Sequence, residues 1–237
     1  MAKIISLKKP QHIDKQVYKE LLTYVSKEKG KKLSKYYLIE DAYRSLLGEL
    51  LIRSEICRML SISNTNIRFK YNKNGKPDLV DERLYFNVSH SKEWIVAIFG
   101  EEPVGIDVEY IERINIEEVF NFFSVDEILS IKSKSKLERL NYFYDIWTLK
   151  ESYVKCLGKG LFIPFNSFSI VKNVHNEIEH NMSNNYNFKQ YDLAPSYKLS
   201  ACSTSESLPE NVVYRDFSEV WSILKHSNHI NEINELF

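Results

Sequence analysis

The sequence predicts an α+β fold, because helical and strand periodicities both occur in each half of the chain. Residues 38–60 place apolar side chains on one face of a long helix, and residues 140–157 repeat that pattern. Residues 67–71 and 104–109 alternate apolar and polar side chains, as half-buried strands do. Neither periodicity dominates, so all-helical and all-strand classes are excluded.

The turn at residues 100–103 is the best boundary between the two halves, since Gly and Pro flank two acidic residues there. We therefore expect one lobe at residues 1–102 and a second at residues 103–237. A chain of 237 residues is long enough to bury a substantial core.

The remaining elements of the first half follow from the same patterns. In order, we expect a strand at residues 3–7, a helix at 13–25, a lysine-rich turn at 27–35, a turn at 72–77, and strands at 85–88 and 94–99.

In the second half, Ser124 and Glu127 have the spacing of a capping box, so a helix should begin at Ser124. After the helix at 140–157, we expect strands at 168–171, 188–193, 197–202 and 212–215, a polar turn region at 174–186, and a helix at 217–237.

Composition limits the compartment and the partners. Lys plus Arg and Asp plus Glu both number 32, so net charge does not indicate a nucleic-acid or membrane partner. No apolar run reaches the length of a signal peptide core or a membrane span. Cys57, Cys156 and Cys202 lie within helix or strand patterns, as reduced core residues do. We expect a soluble, cytoplasmic protein.

One face of the helix at 140–157 carries charge. Trp147, Glu151 and Lys155 follow one another four residues apart, away from the apolar stripe, while Gly158 and Gly160 end the helix. A carboxylate and an ammonium one turn apart are commonly an exposed ion pair, and that alternative stays open from this pattern alone.

A second acidic stretch lies about forty residues earlier. Asp107 and Glu109 point to the same side of the strand at 104–109, since side chains alternate along a strand. Together with Glu151 they would form an oxygen-only site, which suits Mg²⁺. The alternative is an exposed edge strand with two surface acids.

Several motifs together resemble the signature of the 4′-phosphopantetheinyl transferases, most closely the surfactin-synthetase-activating (Sfp-type) branch. The resemblance covers nearly the whole chain, with the motifs in the family's order and spacing. They are Glu40-Asp41-Ala42-Tyr43-Arg44-Ser45-Leu46-Leu47-Gly48, Asn74-Gly75-Lys76-Pro77, Asn87-Val88-Ser89-His90-Ser91, Gly105-Ile106-Asp107-Val108-Glu109, Phe123-Ser124, Trp147-Thr148-Leu149-Lys150-Glu151-Ser152-Tyr153-Val154-Lys155 and Gly158-Lys159-Gly160.

The resemblance implies two similar α+β lobes related by a pseudo-two-fold axis, with coenzyme A in the cleft between them. The first lobe would bind coenzyme A, and the second would carry the metal site and the catalytic helix. The implied activity is transfer of 4′-phosphopantetheine from coenzyme A to a serine of an apo acyl or peptidyl carrier protein, leaving adenosine 3′,5′-bisphosphate. Such enzymes serve nonribosomal peptide and other secondary-metabolite synthesis, and we expect a monomer.

The resemblance also assigns the catalytic and metal roles. Asp107, Glu109 and Glu151 would bind Mg²⁺, with Mn²⁺ as a substitute. Glu151 would also accept the proton of the carrier serine, and Lys155 would supply a cation or a proton to the leaving phosphate.

The implied nucleotide contacts lie mainly in the first lobe. Lys29 and Lys32 fall where the family has cations for the 3′-phosphate, although Ser34-Lys35 stand where it has an arginine pair. The other expected contacts to coenzyme A are Arg44, Lys76, Pro77, Ser89, His90, Lys150 and Lys155. A surface salt bridge of Arg44 with Asp41 or Glu40 is the alternative for that residue.

The segment 111–124 would contact the carrier protein, as it does in the family. It contains Val119, Phe120, Phe122 and Phe123, of which some must belong to the core. A scaffold that binds coenzyme A or a nucleotide without transferring anything is the main alternative function. A protein-interaction module is a third, although it would not need the acidic residues and Lys155.

Overall fold

A computed structural model of the chain describes residues 2–80, 84–159, 163–183, 185–204 and 207–234, with side chains described up to residue 227. Gly160, expected to help end a helix, and residues 235–237 of the expected C-terminal helix lie outside these ranges.

Helices and strands both run through the described chain, which confirms the α+β class. The helices are α1 Lys15–Leu21, α2 Lys27–Leu33, α3 Ile39–Leu60, α4 Val125–Ser133, α5 Arg139–Leu157 and α6 Phe217–Asn234. The strands are β1 Lys3–Lys8, β2 Phe69–Tyr71, β3 Pro77–Leu79, β4 Tyr85–Ser91, β5 Trp94–Gly100, β6 Val104–Tyr110, β7 Ile170–Lys172, β8 Ile178–His180, β9 Asn187–Tyr191, β10 Tyr197–Ser203 and β11 Val212–Arg215. Short 3₁₀ helices lie at Leu22–Tyr24, Asn64–Asn66, Ile116–Phe122 and Phe165–Ser167.

The first lobe is built on a four-stranded sheet in the order β11-β1-β5-β4. β5 is an apolar run whose side chains are buried on both faces, and it pairs antiparallel with β1 and β4. α3 covers one face of this sheet with Leu46, Leu50 and other apolar side chains, which continue into a core shared with α6.

The second lobe is built on an antiparallel sheet in the order β6-β10-β9, with α5 packed across it. The apolar stripe of α5 that includes Ile146, Leu149 and Tyr153 enters the core of this lobe. Gly105 allows the helix to lie directly on β6, because a Cβ there would be 2.0 Å from the carbonyl O of Ser152.

The two lobes meet where β4 runs beside β6, although these strands belong to different sheets. Side chains of β4 take the place of a partner strand by accepting hydrogen bonds from backbone N–H groups of β6. The three bonds are Ile106 N to Asn87 Oδ1 (3.0 Å), Val108 N to Ser89 Oγ (3.4 Å) and Tyr110 N to Ser91 Oγ (3.0 Å). This seam fixes the polar side chains of one lobe against the acidic strand of the other.

The structure corrects the predicted extent of the second lobe. The boundary near residue 103 separates the two sheets, but β11 pairs in parallel with β1, and α6 packs on α3. Residues 212–234 therefore return to the first lobe instead of ending the second. Such long-range pairing leaves no mark in local periodicity.

Two local predictions were also wrong. The lysine-rich turn at 27–35 is largely α2, whose first turn is capped by Ser26 Oγ accepting from Lys29 N at 3.1 Å. The polar region 174–186 contains β8, which pairs with β7 as a hairpin.

Other local predictions are confirmed. Ser124 and Glu127 form the capping box that begins α4. Cys57, Cys156 and Cys202 are buried free thiols.

Among the described residues, no helix is both long enough and apolar enough to cross a membrane.

Candidate active site

The acidic strand β6 and the charged face of α5 meet at the seam between the lobes. The Oδ1 atom of Asp107 accepts hydrogen bonds from Lys155 Nζ at 2.5 Å and from Ser89 Oγ at 2.9 Å. Lys155 Nζ also lies 3.0 Å from Ser89 Oγ. Two lobes and three elements thus supply one compact polar cluster.

Asp107 is a buried acid, since its side chain is only 2% exposed. Burial raises the pKa of this carboxyl above its usual value, and Lys155 opposes that shift. Its second oxygen, Oδ2, is buried without a hydrogen-bond partner. A buried carboxylate oxygen of this kind is costly unless a cation or a donor reaches it.

Glu109 lies next along the same face of β6 and is half-buried. Its Oε2 accepts a hydrogen bond from Ser91 Oγ at 3.0 Å. Burial, followed by the negative charge of Asp107, raises the pKa of Glu109 to about 7. The exposed edge strand considered from the sequence is therefore wrong for these two acids.

Glu151 is half-buried and lines a cavity with Phe122, Trp147 and Phe165. Burial raises the pKa of Glu151; Lys155 opposes this shift and Asp107 adds to it. The ion pair that Lys155 forms is with Asp107, so Glu151 and Lys155 are not the exposed pair of the alternative interpretation. Burial would lower the pKa of Lys155, but the carboxylates of Asp107 and Glu151 outweigh burial and raise that pKa.

The donor chemistry at this cluster fits a hard divalent cation. Asp107, Glu109 and Glu151 offer only oxygen atoms, and one of these atoms is buried and unpartnered. Within the described ranges, no three His, Cys, Asp or Glu side chains lie close enough together to hold a metal ion. In this conformation the Lys155 ammonium balances Asp107 instead.

A cleft beside the cluster collects most of the expected nucleotide contacts. Lys29, Lys32 and His90 line a cavity of about 240 Å³. Lys76 and Lys155 line an adjoining cavity of about 270 Å³. Gly75, Pro77, Phe86 and Val88 line both cavities, so the two lie next to each other, and we call them together the cleft. The structure thus brings cations of both lobes to two neighbouring cavities.

The cations at the far end of this cleft are partly engaged with the protein itself. Lys29 Nζ donates to Ser45 Oγ at 3.0 Å and lies 3.5 Å from Glu49 Oε2. Lys32 Nζ lies 4.6 Å from the centre of the Tyr71 ring. Ser45 and Glu49 were not predicted from the sequence, since nothing in their spacing on α3 marks a contact with a lysine of α2.

Arg44 forms the ion pair with Asp41 that was the alternative for this residue, and it also donates to the carbonyl O of Lys92 at 3.4 Å. His90 is exposed and lines the same cavity as Lys29 and Lys32. The two side chains are close enough for the charge of Arg44 to act on His90.

The structure corrects the expectation that Lys150 binds the nucleotide. Its side chain is fully buried, and Nζ donates to Glu127 Oε1 (2.6 Å), Glu127 Oε2 (2.9 Å) and the carbonyl O of Phe168 (2.9 Å). All three ammonium protons are therefore used inside the second lobe.

Ser91 is a further seam residue that the sequence analysis did not assign. Asn87, Ser89 and Ser91 alternate along β4, so they share one face, and all three contact β6. That alternation could have predicted from the sequence that Ser91 shares the face of Ser89.

Two models of one protein family match this chain. A family model described as the 4′-phosphopantetheinyl transferase superfamily matches residues 103–222. A second model, described as the N-terminal part of 4′-phosphopantetheinyl transferase, matches residues 11–102.

Among the similar proteins is 4′-phosphopantetheinyl transferase gsp of Aneurinibacillus migulanus, 41% identical over 210 residues that cover 88% of each chain. Another is 4′-phosphopantetheinyl transferase Sfp of Bacillus subtilis (strain 168), 32% identical over 222 residues, covering 92% of this chain and 99% of the relative. These matches confirm the resemblance that the motifs indicated. The chain belongs to the 4′-phosphopantetheinyl transferase superfamily.

Proposed function

We propose that this protein transfers 4′-phosphopantetheine from coenzyme A to a serine of an apo carrier protein, with Mg²⁺ at the acidic cluster. The observation that carries the proposal is Asp107, held between Ser89 and Lys155 at the edge of a cation-lined cleft, with its Oδ2 atom buried and unpartnered.

In the proposed reaction, the serine Oγ forms a bond to the phosphorus on the pantetheine side of the coenzyme A pyrophosphate. The bond from that phosphorus to the oxygen of the other phosphate breaks, and adenosine 3′,5′-bisphosphate leaves. The serine proton passes to Glu151, whose raised pKa makes it a stronger proton acceptor than an ordinary glutamate. Lys155 belongs to the cluster and would stabilise the charge that develops on the leaving phosphate.

Asp107, Glu109 and Glu151 would hold Mg²⁺, and Mn²⁺ suits the same oxygen ligands. When bound, the metal ion would offset the charge of the pyrophosphate and polarise its phosphorus. Ser89 and Ser91 donate to Asp107 and Glu109, so they fix the direction in which these carboxylates point.

The cleft would bind the rest of coenzyme A. Lys29, Lys32 and His90 supply charge and a ring donor at one end, Lys155 lines the other end, and Pro77 borders both. Arg44 lies at the rim near His90, and its guanidinium would reach a phosphate by exchanging its partner Asp41 for that anion.

The carrier would approach over the segment 111–124. Phe122 is 44% exposed and lines the cavity that contains Glu151, whereas Phe123 is buried. An apolar carrier helix beginning at the reactive serine would thus place that serine near Glu151. We also propose that the protein acts as a cytoplasmic monomer in nonribosomal peptide or related synthesis, as the family resemblance suggests.

The test is to incubate the protein with coenzyme A, Mg²⁺ and a panel of apo acyl and peptidyl carrier domains, and to weigh each carrier. A gain of one phosphopantetheine group on the serine supports the proposal. Tight coenzyme A binding without any mass gain on any carrier would favour the non-catalytic scaffold instead.

A further inference from the structure

Side chains of the turn between β2 and β3 hold the carbonyl end of the catalytic helix α5. The amide nitrogens of Asn72 and Asn74 both donate to the carbonyl O of Gly158, at 2.9 and 3.1 Å. Lys76 Nζ donates to the carbonyl O of Lys155 at 2.7 Å, and it lies 3.4 Å from the carbonyl O of Val104. The turn belongs to the first lobe and α5 to the second, so these bonds join the lobes.

The end of a helix is a natural place for such donors, because its last carbonyls lack partners within the helix. Gly158 ends α5 in the left-handed conformation, with φ of 65°, which suits glycine. Its carbonyl O accepts from both asparagines and so uses both lone pairs. The Lys76 charge also complements the negative end of the helix dipole.

The same turn borders the cleft. Asn72 Oδ1 accepts from the backbone N–H groups of Asn74 and Lys76, at 2.9 and 3.0 Å, which shapes the turn. Gly75 and Pro77 of the turn line both cavities of the cleft. Lys155 is therefore held at two points, with its carbonyl bonded to the turn and its ammonium bonded to Asp107 and Ser89.

We propose that Asn72, Asn74 and Lys76 form an inter-lobe clasp that positions α5, and with it Lys155 and Glu151, for phosphopantetheine transfer. This role rests on the proposed function. The three are positioning residues, because they act through the helix end and not on the reacting atoms. The family resemblance gave Lys76 a contact to coenzyme A, whereas the structure directs its ammonium to the helix.

Two variants distinguish the loss of hydrogen bonds to α5 from a change in the shape of the turn. Asn74→Ala removes one donor to Gly158 and leaves the bonds of Asn72 Oδ1 in place. Asn72→Asp keeps the turn acceptor but loses the other donor to Gly158. Asn66→Ala is the matched control, because Asn66 is an exposed asparagine of the same lobe.

With carrier and coenzyme A varied, each clasp variant should lower kcat by about fivefold to tenfold, the effect of about one hydrogen bond. The Kd for coenzyme A should change less than kcat does, since the backbone of the turn that borders the cleft is kept. In a Lys155→Ala background, Asn74→Ala should add a smaller loss than in wild type, because only the positioning of Glu151 is then left to disturb. Asn66→Ala should match wild type throughout.

Amide hydrogen exchange of the α5 terminus supplies a readout that does not require activity. The amides of residues 155–159 should exchange faster in Asn74→Ala than in Asn66→Ala. An inactive wild-type protein would contradict the proposed function and leave this exchange result to decide the clasp. Unchanged kcat in both clasp variants of an active enzyme would overturn the positioning role, as would a loss explained wholly by weaker coenzyme A binding. Unchanged exchange at the helix end would overturn the clasp itself.

Discussion

Lys155 and Asp107 form an ion pair, with Nζ 2.5 Å from Oδ1, while Oδ2 of the same carboxylate is buried and unpartnered. This half-satisfied carboxylate sits beside Glu109, whose pKa is also raised by burial. Such an arrangement has surplus negative charge close to a single lysine. It favours the binding of a divalent cation, which would relieve the repulsion between the acids.

Metal removal should abolish transfer. Excess chelator is expected to reduce the transfer rate to background, and added Mg²⁺ or Mn²⁺ should restore it, because only oxygen ligands are offered. The measurement is the initial rate of carrier modification, with coenzyme A binding measured in parallel as a control. A full rate in excess chelator would rule out the metal at this cluster.

Mg²⁺ affinity should depend on pH around neutrality. The pKa of Glu109 is raised to about 7, first by burial and then by Asp107, so a proton must leave before the metal ion binds. Below that pH, affinity should fall by up to about tenfold per pH unit, the limit for one released proton. Calorimetry in buffers of different ionisation enthalpy would count that proton.

The same shift gives the sign of the effect on stability without metal. The folded protein binds the Glu109 proton more tightly than the unfolded chain, so this group stabilises the fold at low pH. That contribution should be lost as pH rises from the unfolded pKa of Glu109 to about 7.

For the metal prediction, a Mg²⁺ affinity that is constant from pH 6 to pH 8 would count against Glu109 as a ligand.

Phe122→Glu should weaken carrier recognition. Phe122 is exposed and contacts the ring of Trp147 edge-on, with centroids 6.4 Å apart, whereas Phe123 belongs to the core. We expect KM for the carrier to rise by about tenfold, typical of losing one central apolar contact, while KM for coenzyme A stays nearly constant. Steady-state kinetics with each substrate varied gives both values.

Val174→Glu is the control for this experiment, since Val174 is 93% exposed in the β7–β8 hairpin, away from the cleft. Equal increases in both KM values for Phe122→Glu would argue against a docking role.

Lys150→Met should act on stability more than on coenzyme A binding. It would leave Glu127, which is fully buried, without its cation. Breaking a buried pair from one side costs about 3–5 kcal/mol of unfolding free energy. Denaturant unfolding measures this loss, with the exposed Lys136→Met as the control. A variant that is as stable as wild type but binds coenzyme A more weakly would instead support a contact between Lys150 and the nucleotide.

Local elements of this fold could be read from the sequence because their signals are local. The capping box of Ser124 and Glu127 and the alternation around Asp107 each lie within a few residues. The return of β11 to β1 could not be read, since that pairing joins residues more than two hundred positions apart and depends on the whole fold.

The site shows the same limit. The polar faces of a strand and a helix indicated that Asp107 and Glu151 could lie near each other, and in the structure both carboxylates raise the pKa of Lys155. Lys150 was misassigned, although it lies four residues after Ile146 and three before Tyr153, which places it on the apolar stripe. Its partner Glu127 is on another helix and could not be inferred from local spacing. The position of Lys150 on the apolar stripe of α5 was therefore the one sequence signal that it is buried.

The most direct measurement is the transfer rate of Glu151→Gln at saturating coenzyme A and Mg²⁺, together with thermal unfolding of the metal-free variant. Removing a ligand and the proton acceptor together should reduce the rate by about a hundredfold or more. Metal-free stability should stay level or rise, because one of three repelling carboxylates is gone. Glu20→Gln, at an exposed ion pair with Lys225, should leave the rate unchanged. A Glu151→Gln enzyme that keeps at least about half of the wild-type rate, far above the loss expected for a general base, would remove Glu151 from the mechanism and contradict the account.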